Sequence, residues 1–230
     1  MPIVIIQPTA VYGPYAPMWT IRILNQLRTG RVIVINNGEG YRNCVFIDDL
    51  INGILLAVVK EKAIGEAFLI SGEEPVKWYD FYKGYGEIVG ELSTVNMSKK
   101  EAMSYYKKHK KSRRLLTELI SILKNEPIVL QKLTKTYEIS KLMSILPNFI
   151  LESLKKRIRI NNLSISSNNS SGKEKPIHPL TPFEINFNAS KPRVCIDKAK
   201  NLLGYNPEYD FKKGLKITEQ WAKWANLIEQ

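Results

Sequence analysis

The chain has 230 residues, of which 44% are hydrophobic and 24% are charged, and its formal net charge is +12. This share of apolar side chains supports a packed core and excludes a wholly disordered chain. With two cysteines and no Cys-x-x-Cys pair, the sequence excludes a disulfide scaffold and a zinc ribbon, and it suits a reducing compartment such as the cytoplasm. The longest purely apolar run, Ile54 to Val59, is far shorter than the roughly 20 residues that cross a bilayer, so no membrane span is expected.

The predicted elements begin with a strand. The β-branched run Ile3–Ile6 is typical of a strand buried on both faces of a parallel sheet, and Gly13-Pro14 predicts the turn that ends it. Met18–Leu27 has apolar residues at helical spacing, with Gly30 as its stop. Val32–Ile35 predicts a second strand.

The middle and the tail of the chain have equally distinct signals. In the first part of this stretch we predict a turn with positive φ at residues 36–40, a strand at Asn43–Ile47, a helix at Leu50–Lys60 capped by Asp48 or Asp49, a strand at Ala67–Ile70 and a helix at Tyr79–Val89. Further helices are predicted between Lys99 and Arg159, broken at Pro127 and Pro147, and a flexible loop at Ser164–Lys175. The tail predicts a short helix at Lys198–Leu203, capped by Asp197 and stopped at Gly204, and a final amphipathic helix at Phe211–Leu227. Strands that alternate with helices predict an α/β protein.

Positive charge is concentrated in one part of the chain. Residues 1–97 have a net charge of −2, residues 98–175 of +12, and residues 176–230 of +2. The basic middle therefore separates two nearly neutral parts, and we take 1–97, 98–175 and 176–230 as the predicted divisions of the chain.

Four separated stretches together resemble one known family. They are Gln7-Pro8-Thr9-Ala10-Val11-Tyr12-Gly13-Pro14, then Tyr41-Arg42-Asn43-Cys44-Val45-Phe46-Ile47-Asp48-Asp49-Leu50, then the strand Gly65–Gly72 with Val76-Lys77-Trp78 after it, and finally Asp197–Pro207 followed by Lys213-Gly214-Leu215. In this order and at these intervals they resemble the extended short-chain dehydrogenases/reductases, the NAD-dependent epimerase/dehydratase family. Such a resemblance specifies a family better than it specifies a reaction, because one fold hosts many activities.

The resemblance implies roles for five residues. Backbone around Pro8, Thr9 and Val11 would contact the nicotinamide end of NAD or NADP, and Tyr12 would line the substrate side. Arg42 would reach a substrate diphosphate bidentately, as it does in the nucleotide-sugar members, and the alternative for it is a surface ion pair with Asp48 or Glu39. Independently of the family, a glycine and a proline after a buried parallel strand lie where open α/β sheets bind ligands.

Two elements of the family have no counterpart in the sequence. The first is the Gly-rich turn whose N–H groups hold the cofactor pyrophosphate at a helix N-terminus. The nearest run, Gly84 to Gly90, has the spacing GxGxxxG and falls inside a predicted helix.

The second missing element is the catalytic Tyr-xxx-Lys pair, which in the family lies upstream of the stretch that begins at Pro8. The literal matches are Tyr79/Lys83, Tyr106/Lys110, Tyr137/Lys141 and Tyr209/Lys213, all of them downstream. Pairs four residues apart are common on lysine-rich helices. We therefore assign no catalytic residue.

The resemblance thus predicts a truncated Rossmann-like, NAD(P)-binding α/β fold. Residues 1–97 would form the end of the Rossmann-like sheet and the first part of the substrate domain, 98–175 a basic helical insertion and flexible loop, and 176–230 the rest of the substrate domain. About 150 residues of strand-and-helix units would precede such a chain in a complete member. Ala10 and Gln7 stand where nucleotide-sugar enzymes usually have Asn and Arg, so a sterol-like or other small hydroxyl/carbonyl substrate remains open beside a nucleotide sugar.

The basic insertion has more than one interpretation. Leu142–Leu154 has one apolar helical face with Lys155-Lys156-Arg157 after it, which favours packing over the substrate cleft, with peripheral contact to an anionic membrane as the alternative. No aromatic or groove-reading motif accompanies the lysines, so nucleic acid is not expected as a partner. Two distant histidines, His109 and His178, do not predict a metal site.

Two functions from different classes follow. The chain is either part of an NAD(P)-dependent epimerase/dehydratase-type enzyme that is inactive alone and needs the Gly-rich half from another chain, or a non-catalytic interaction module that associates through its basic helices.

Overall fold

The computed structural model describes residues 2–110 and 175–228. The chain divides into two compact units, one formed by residues 1–107 together with 175–230 and the other by residues 108–174. The account below concerns the first unit. The predicted helix at Leu142–Leu154, the helix breaks at Pro127 and Pro147, and most of the predicted loop at Ser164–Lys175 lie outside the described residues.

The first unit is a mixed α/β fold in which parallel pairing dominates. In chain order the strands are β1 (Ile5–Pro8), β2 (Ala10–Tyr12), β3 (Arg31–Ile35), β4 (Tyr41–Arg42), β5 (Cys44–Phe46), β6 (Ala67–Ile70), β7 (Val76–Lys77), β8 (Thr94–Met97) and β9 (Ile177–His178). β1 pairs with β6, β2 with β5, and β3 with both β8 and β9, all in parallel, while β4 and β7 are antiparallel. The α/β class predicted from the sequence is confirmed.

Helices connect and cover these strands. They are α1 (Arg22–Thr29), which follows a π-helical turn at Pro17–Ile21, then α2 (Ile47–Val59), α3 (Trp78–Val89), α4 (helical from 99 to 110, where the described range ends), α5 (Pro182–Asn188), α6 (Asp197–Leu203) and α7 (Phe211–Trp224). One core packs α1, α3 and α7 against β3, with Leu27, Phe81 and Tyr85 fully buried. A second core packs α2 and α6 on one face of β1 and β6.

Several predicted boundaries are confirmed. The strand Ala67–Ile70 has the predicted limits, and α3 begins one residue earlier than predicted, at Trp78. The predicted turn has positive φ at Asn36, Asn37 and Gly38. Because α3 contains Gly84 and Gly86 and ends at Gly90 with φ +80°, the GxGxxxG run is a helix with a left-handed stop, as expected.

The first strand differs from its prediction in burial. β1 is parallel, as expected, but it lies at Ile5–Pro8 and only one of its faces is covered. Val4 and Ile6 pack into the second core with β6, whereas Ile3 and Ile5 are 53% and 52% exposed. The prediction that both faces are buried is therefore wrong, because α2 and α6 cover the face that carries Val4 and Ile6, while the opposite face, which carries Ile3 and Ile5, is exposed.

The predicted capping of α2 is also wrong. The helix begins at Ile47, and Phe46 is the residue before it, with no side-chain cap. Asp49 lies in the first turn and is 2% exposed, and its two carboxylate oxygens accept the N–H groups of Glu208 and Tyr209 at 2.8 and 3.1 Å. The carboxylate therefore anchors the segment before α7, although burial raises its pKa despite these two hydrogen bonds.

The C-terminal helices are close to prediction. The predicted capping of α6 by Asp197 is wrong, because Asp197 is the first residue of the helix and Ile196 precedes it without a side-chain cap, while Gly204 follows the helix with φ +73° as predicted. α7 ends at Trp224, three residues before the predicted Leu227, and Asp210 caps it by accepting the N–H of Lys213 at 2.7 Å. A short polar side chain before the first helical residue is the usual N-cap.

Replacing Asp49 tests its role as an anchor. Asp49→Ala leaves the N–H groups of Glu208 and Tyr209 without their acceptor, and we expect it to lower the free energy of unfolding by about 2–3 kcal/mol. Asp49→Asn keeps one acceptor oxygen, so about half of that loss is expected. Urea unfolding followed by far-UV circular dichroism measures both values, and equal losses for the two variants would contradict the anchoring role.

Candidate functional site

The carboxyl ends of β1 and β6 meet at one edge of their parallel pair. Thr9 follows β1, donates its N–H to the carbonyl of Ile70 at 3.0 Å, and donates its hydroxyl to Oγ of Ser71 at 3.1 Å. Pro8 is exposed and Thr9 is half-buried. Because open α/β sheets bind ligands at the carboxyl ends of their strands, this edge is where a ligand is expected.

Val11 takes part in the strand that continues from this edge. It pairs with Val45 of β5, and its half-buried side chain packs against the second core. The predicted cofactor contacts of Pro8, Thr9 and Val11 thus lie on consecutive backbone around the end of β1, and they stay predictions.

The turn after β2 is sterically restricted to glycine. Gly13 has φ +128°, and a Cβ built on it would lie 2.9 Å from both Ile47 and Phe46. Its N–H donates to Oγ1 of the buried Thr20 at 3.1 Å. Tyr15, two residues later, also has positive φ, and its ring packs on Trp221 with centroids 5.0 Å apart. Gly13-Pro14 therefore forms the predicted turn, held by contacts on both sides.

The side chain of Tyr12 is buried, and its hydroxyl is hydrogen-bonded within the protein. It is 1% exposed, and its Oη donates to the backbone carbonyl of Asp210 at 3.2 Å. Burial raises its pKa far above the usual range for tyrosine. The ring forms part of the wall of a cleft, and its hydroxyl is held by the carbonyl of Asp210.

A cleft of about 640 Å³ opens beside the ring of Tyr12. The charged residues that line it are Glu73, Glu74, Asp80, Glu208, Asp210, Lys77 and Arg193. Both basic groups are paired, Arg193 with Glu74 at 2.6 Å and Lys77 with Glu39 at 3.1 Å. The excess of carboxylates disfavours an anionic group in this cleft.

Arg42 lies apart from the cleft, inside a cage of aromatic rings. It is 6% exposed, and its guanidinium carbon lies 3.6 Å from the ring centre of Trp19, 5.3 Å from that of Trp78 and 5.4 Å from that of Phe187. Glu39 instead pairs with Lys77 and Lys191. The alternative of a surface ion pair for Arg42 is therefore wrong, because the guanidinium is buried and stacked on indole faces.

The cage leaves hydrogen-bond donors without acceptors. Among the described residues three side-chain donors are buried without a hydrogen-bond partner, and two of them, Nε of Arg42 and Nε1 of Trp78, lie in the cage, while the third is Nε1 of Trp221. Burial lowers the pKa of Arg42 to about 10, so the group still carries its charge at neutral pH. Buried polar groups are almost always paired, so two unpaired donors in one cage suit an acceptor from outside the protein.

The Tyr209/Lys213 pair does not provide an activated tyrosine. Lys213 Nζ lies over the ring of Tyr209, 4.2 Å from its centroid, and donates to the carbonyl of Glu208 at 3.1 Å. Burial, followed by nearby carboxylates, raises the pKa of Tyr209 instead of lowering it. A catalytic pair requires the opposite shift.

The sequence did not reveal the residues that surround Arg42. Trp19, Trp78 and Phe187 come from three different elements, and no spacing in the sequence connects them. The only signal for this cage in the sequence was the presence of aromatic residues beside the strand that carries Arg42. The structure brings Tyr12 to the cleft and Arg42 to the cage, and neither Pro8, Thr9 nor Val11 is among the residues that line the cleft.

These features together define a class of protein. Parallel strands joined through helices, with a glycine-dependent turn at their carboxyl ends, define a Rossmann-like α/β protein. Residues 1–71 match the model of the NAD dependent epimerase/dehydratase family. The match confirms the resemblance found in the sequence, and NAD(P) is the cofactor that this family implies.

Solved structures share the fold of this chain. UDP-glucose 4-epimerase from the hyperthermophilic eubacterium Thermotoga maritima was solved with UDP-glucose, and it matches with a TM-score of 0.51 at 18% identity. The match spans 98% of this chain and 47% of the epimerase chain. UDP-glucuronic acid 4-epimerase from Bacillus cereus was solved in complex with UDP-glucuronic acid and NAD, and it matches with a TM-score of 0.49 at 19% identity. That match spans 98% of this chain and 46% of the epimerase chain.

One relative is similar in sequence. The uncharacterized protein y4nL of Sinorhizobium fredii is 31% identical over 91 residues, which is 40% of this chain and 26% of y4nL. The chain thus spans about a quarter of this curated relative and just under half of the solved structures that it matches.

Gly13 and Gly65 form a matched pair that tests the turn. Both have positive φ, but a Cβ on Gly13 would meet Phe46 and Ile47, whereas nothing lies within 4 Å of one on Gly65. We expect Gly65→Ala to cost about 1–2 kcal/mol from backbone strain alone and Gly13→Ala to cost about 1–3 kcal/mol more from overpacking. Denaturant unfolding measures both, and equal losses would show that the contacts at Gly13 do not restrict the turn.

Proposed function

We propose that the chain is the substrate-side part of an NAD(P)-dependent epimerase/dehydratase-type enzyme that acts on a hydroxyl or carbonyl group of a small molecule. The match of residues 1–71 to the family supports the enzyme class. The buried, unpaired Nε of Arg42 is the observation that carries the substrate assignment, because this donor needs an acceptor that the described residues do not supply. The two free cysteines suit a reducing compartment such as the cytoplasm.

The residues around β1 suit one end of the cofactor. Backbone at Pro8, Thr9 and Val11 surrounds the carboxyl end of β1, where the nicotinamide end would lie, and Tyr12 contributes ring surface on the substrate side. The described residues include no Gly-rich turn at a helix N-terminus, which is what holds a dinucleotide pyrophosphate. The described residues therefore do not fit a whole NAD molecule, and we expect the pyrophosphate to need residues from other polypeptide.

Arg42 would bind an anionic group of the substrate. Its stacked guanidinium is held in place by Trp19 and keeps its donors in a low-dielectric setting, where hydrogen bonds to phosphate are strong. A diphosphate, as in a nucleotide sugar, has the negative charge and the hydrogen-bond acceptors that the cage lacks. The acidic cleft beside Tyr12 does not compete for such a group.

The alternative function, a non-catalytic interaction module, depends on the basic helices of residues 98–175. Residues 111–174 of that segment lie outside the described residues. No observation on the described residues favours this alternative over the enzyme part.

Inorganic diphosphate tests the role of Arg42. We expect Arg42→Met to weaken diphosphate binding by about 10- to 150-fold, which corresponds to about 1.5–3 kcal/mol for charge-assisted hydrogen bonds. Arg193→Met is the matched control, because Arg193 is an exposed arginine already paired with Glu74. Isothermal titration calorimetry measures both affinities. Equal binding by the two variants, or none by the unaltered chain, contradicts the assignment.

Cofactor binding tests the division of the site. We expect the 230-residue chain alone to leave NADH fluorescence unchanged up to millimolar cofactor, because the residues that would hold the pyrophosphate are not among those described. The Thermotoga maritima UDP-glucose 4-epimerase is the positive control for the family's cofactor. Saturable NADH binding by this chain would show that it holds the cofactor without further polypeptide.

A further inference from the structure

The side of α2 that faces away from the second core is apolar. The buried residues of the helix are Asp49, Gly53 and Ala57, of which Ala57 belongs to the second core. No charged residue occurs between Asp49 and Lys60. The large aliphatic side chains on the other side have exposed fractions from 40% to 77%, and they are Ile51, Ile54, Leu55, Val58 and Val59. A surface helix ordinarily carries polar residues on its outer face, and a helix that is apolar all round is buried, so this side of α2 requires a cover.

The spacing of the exposed residues is that of two paired helices. Asp48, Ile51, Leu55, Val58 and Lys62 follow one another at intervals of 3, 4, 3 and 4 residues. Apolar residues at alternating intervals of three and four form the contact stripe of a two-helix pair. The 13 residues of α2 extend over about 20 Å. The stripe therefore fits one partner helix of about the same length.

The two ends of this stripe carry opposite charge. Asp48 is exposed in the first turn of α2. Lys60 and Lys62 are exposed just after the last turn, with Glu61 between them, so the net charge at that end is positive. Two copies of α2 placed in parallel would bring like charges together, whereas an antiparallel pair brings each negative end to a positive one. The charges therefore favour an antiparallel pair.

An antiparallel pair of two α2 helices is also matched in shape about one residue, Leu55. Ile51 and Val59 are each four residues from Leu55, so Ile51 of one copy meets Val59 of the other. Asp48 and Lys62 are each seven residues from it, so Asp48 of one copy approaches Lys62 of the other. A two-fold axis generates this arrangement, because it presents the same patch on both subunits.

We propose that the outward side of α2 is the docking surface for a second copy of this chain, in a symmetric dimer whose two-fold axis passes beside Leu55. A second copy is the occupant because the surface is complementary to itself, with an apolar centre and opposite charges at its ends. This inference goes beyond the proposed function. None of the five exposed aliphatic residues lines the acidic cleft or contacts Arg42 in its cage, so the dimer leaves both in place.

Sedimentation velocity of the full chain over a range of concentrations tests the dimer. A pair of helices this short buries less than a standard interface, so we expect a reversible dimer with a dissociation constant of about 10 μM. Leu55→Lys places two ammonium groups beside the axis, and we expect it to weaken the dimer at least about 10-fold. Leu69→Lys is the matched control, because Leu69 is the same residue type, is 43% exposed and lies on β6. We expect it to leave the dimer unchanged.

Disulfide cross-linking tests the antiparallel register. A cysteine at position 55 lies beside its own symmetry mate, whereas two cysteines at position 59 are about 12 Å apart along the helix axis, too far for a disulfide. We expect Leu55→Cys to cross-link under mild oxidation and Val59→Cys to cross-link at least about 10-fold less. A mixture of the Ile51→Cys and Val59→Cys chains should form the mixed dimer. All variants carry Cys195→Ser, since Cys195 is an exposed free thiol.

Three outcomes would overturn the proposal. The first is a chain that stays monomeric up to about 500 μM, 50 times the expected dissociation constant. In that case a Leu55→Cys thiol protected from maleimide would make another segment of this chain the cover. The second is a dimer that Leu69→Lys dissociates and Leu55→Lys does not, which would move the interface to the β1–β6 pair. The third is equal cross-linking by Leu55→Cys and Val59→Cys, which contradicts the antiparallel register.

Discussion

The parallel pairing of β1 with β6 is the constraint on which the rest of the described structure depends. Two parallel strands cannot be joined by a tight turn, so the chain between them must cross over, and the connection contains α1 and α2 together with β2 to β5. The pairing places Thr9 beside Ser71, 62 residues away in sequence, at the carboxyl edge. It also fixes which side of β1 faces the core and which side is left bare. The edge at Thr9 and the one-sided burial of β1 both follow from this register.

Two buried charged residues, Asp49 and Arg42, differ in the hydrogen-bond partners that the protein gives them. Asp49 loses water but gains two backbone N–H groups, and the result is a structural anchor for the start of α7. Arg42 loses water and gains only aromatic faces, with Nε left unpaired. A buried group with all its partners stabilises the fold, whereas one without them is suited to a ligand. The comparison separates an anchor from a candidate site without reference to the family.

The cleft and the cage differ in charge, and this difference is relevant to the chemistry of a substrate. The cleft beside Tyr12 is acidic, and its basic residues are already paired, while Arg42 lies elsewhere. The excess of carboxylates thus lies at the cleft, whereas the cage holds a buried cation. Of the two residues that depart from the nucleotide-sugar pattern, Ala10 is 7% exposed and belongs to the core of the described unit, whereas Gln7 is exposed.

The sequence by itself determined the α/β class, most element limits and the family resemblance, because periodicity, glycine stops and local motifs are encoded over a few neighbouring residues. It located the turn at Gly13 and the strand at Ala67–Ile70 for that reason. Only the tertiary structure decided that Asp49 anchors a distant segment, that Arg42 lies among three aromatic rings, and that Ile5 is exposed. Each of these depends on which surfaces meet across long sequence separations. Side-chain direction and long-range contact are properties of packing, and a run of β-branched residues does not state what covers it.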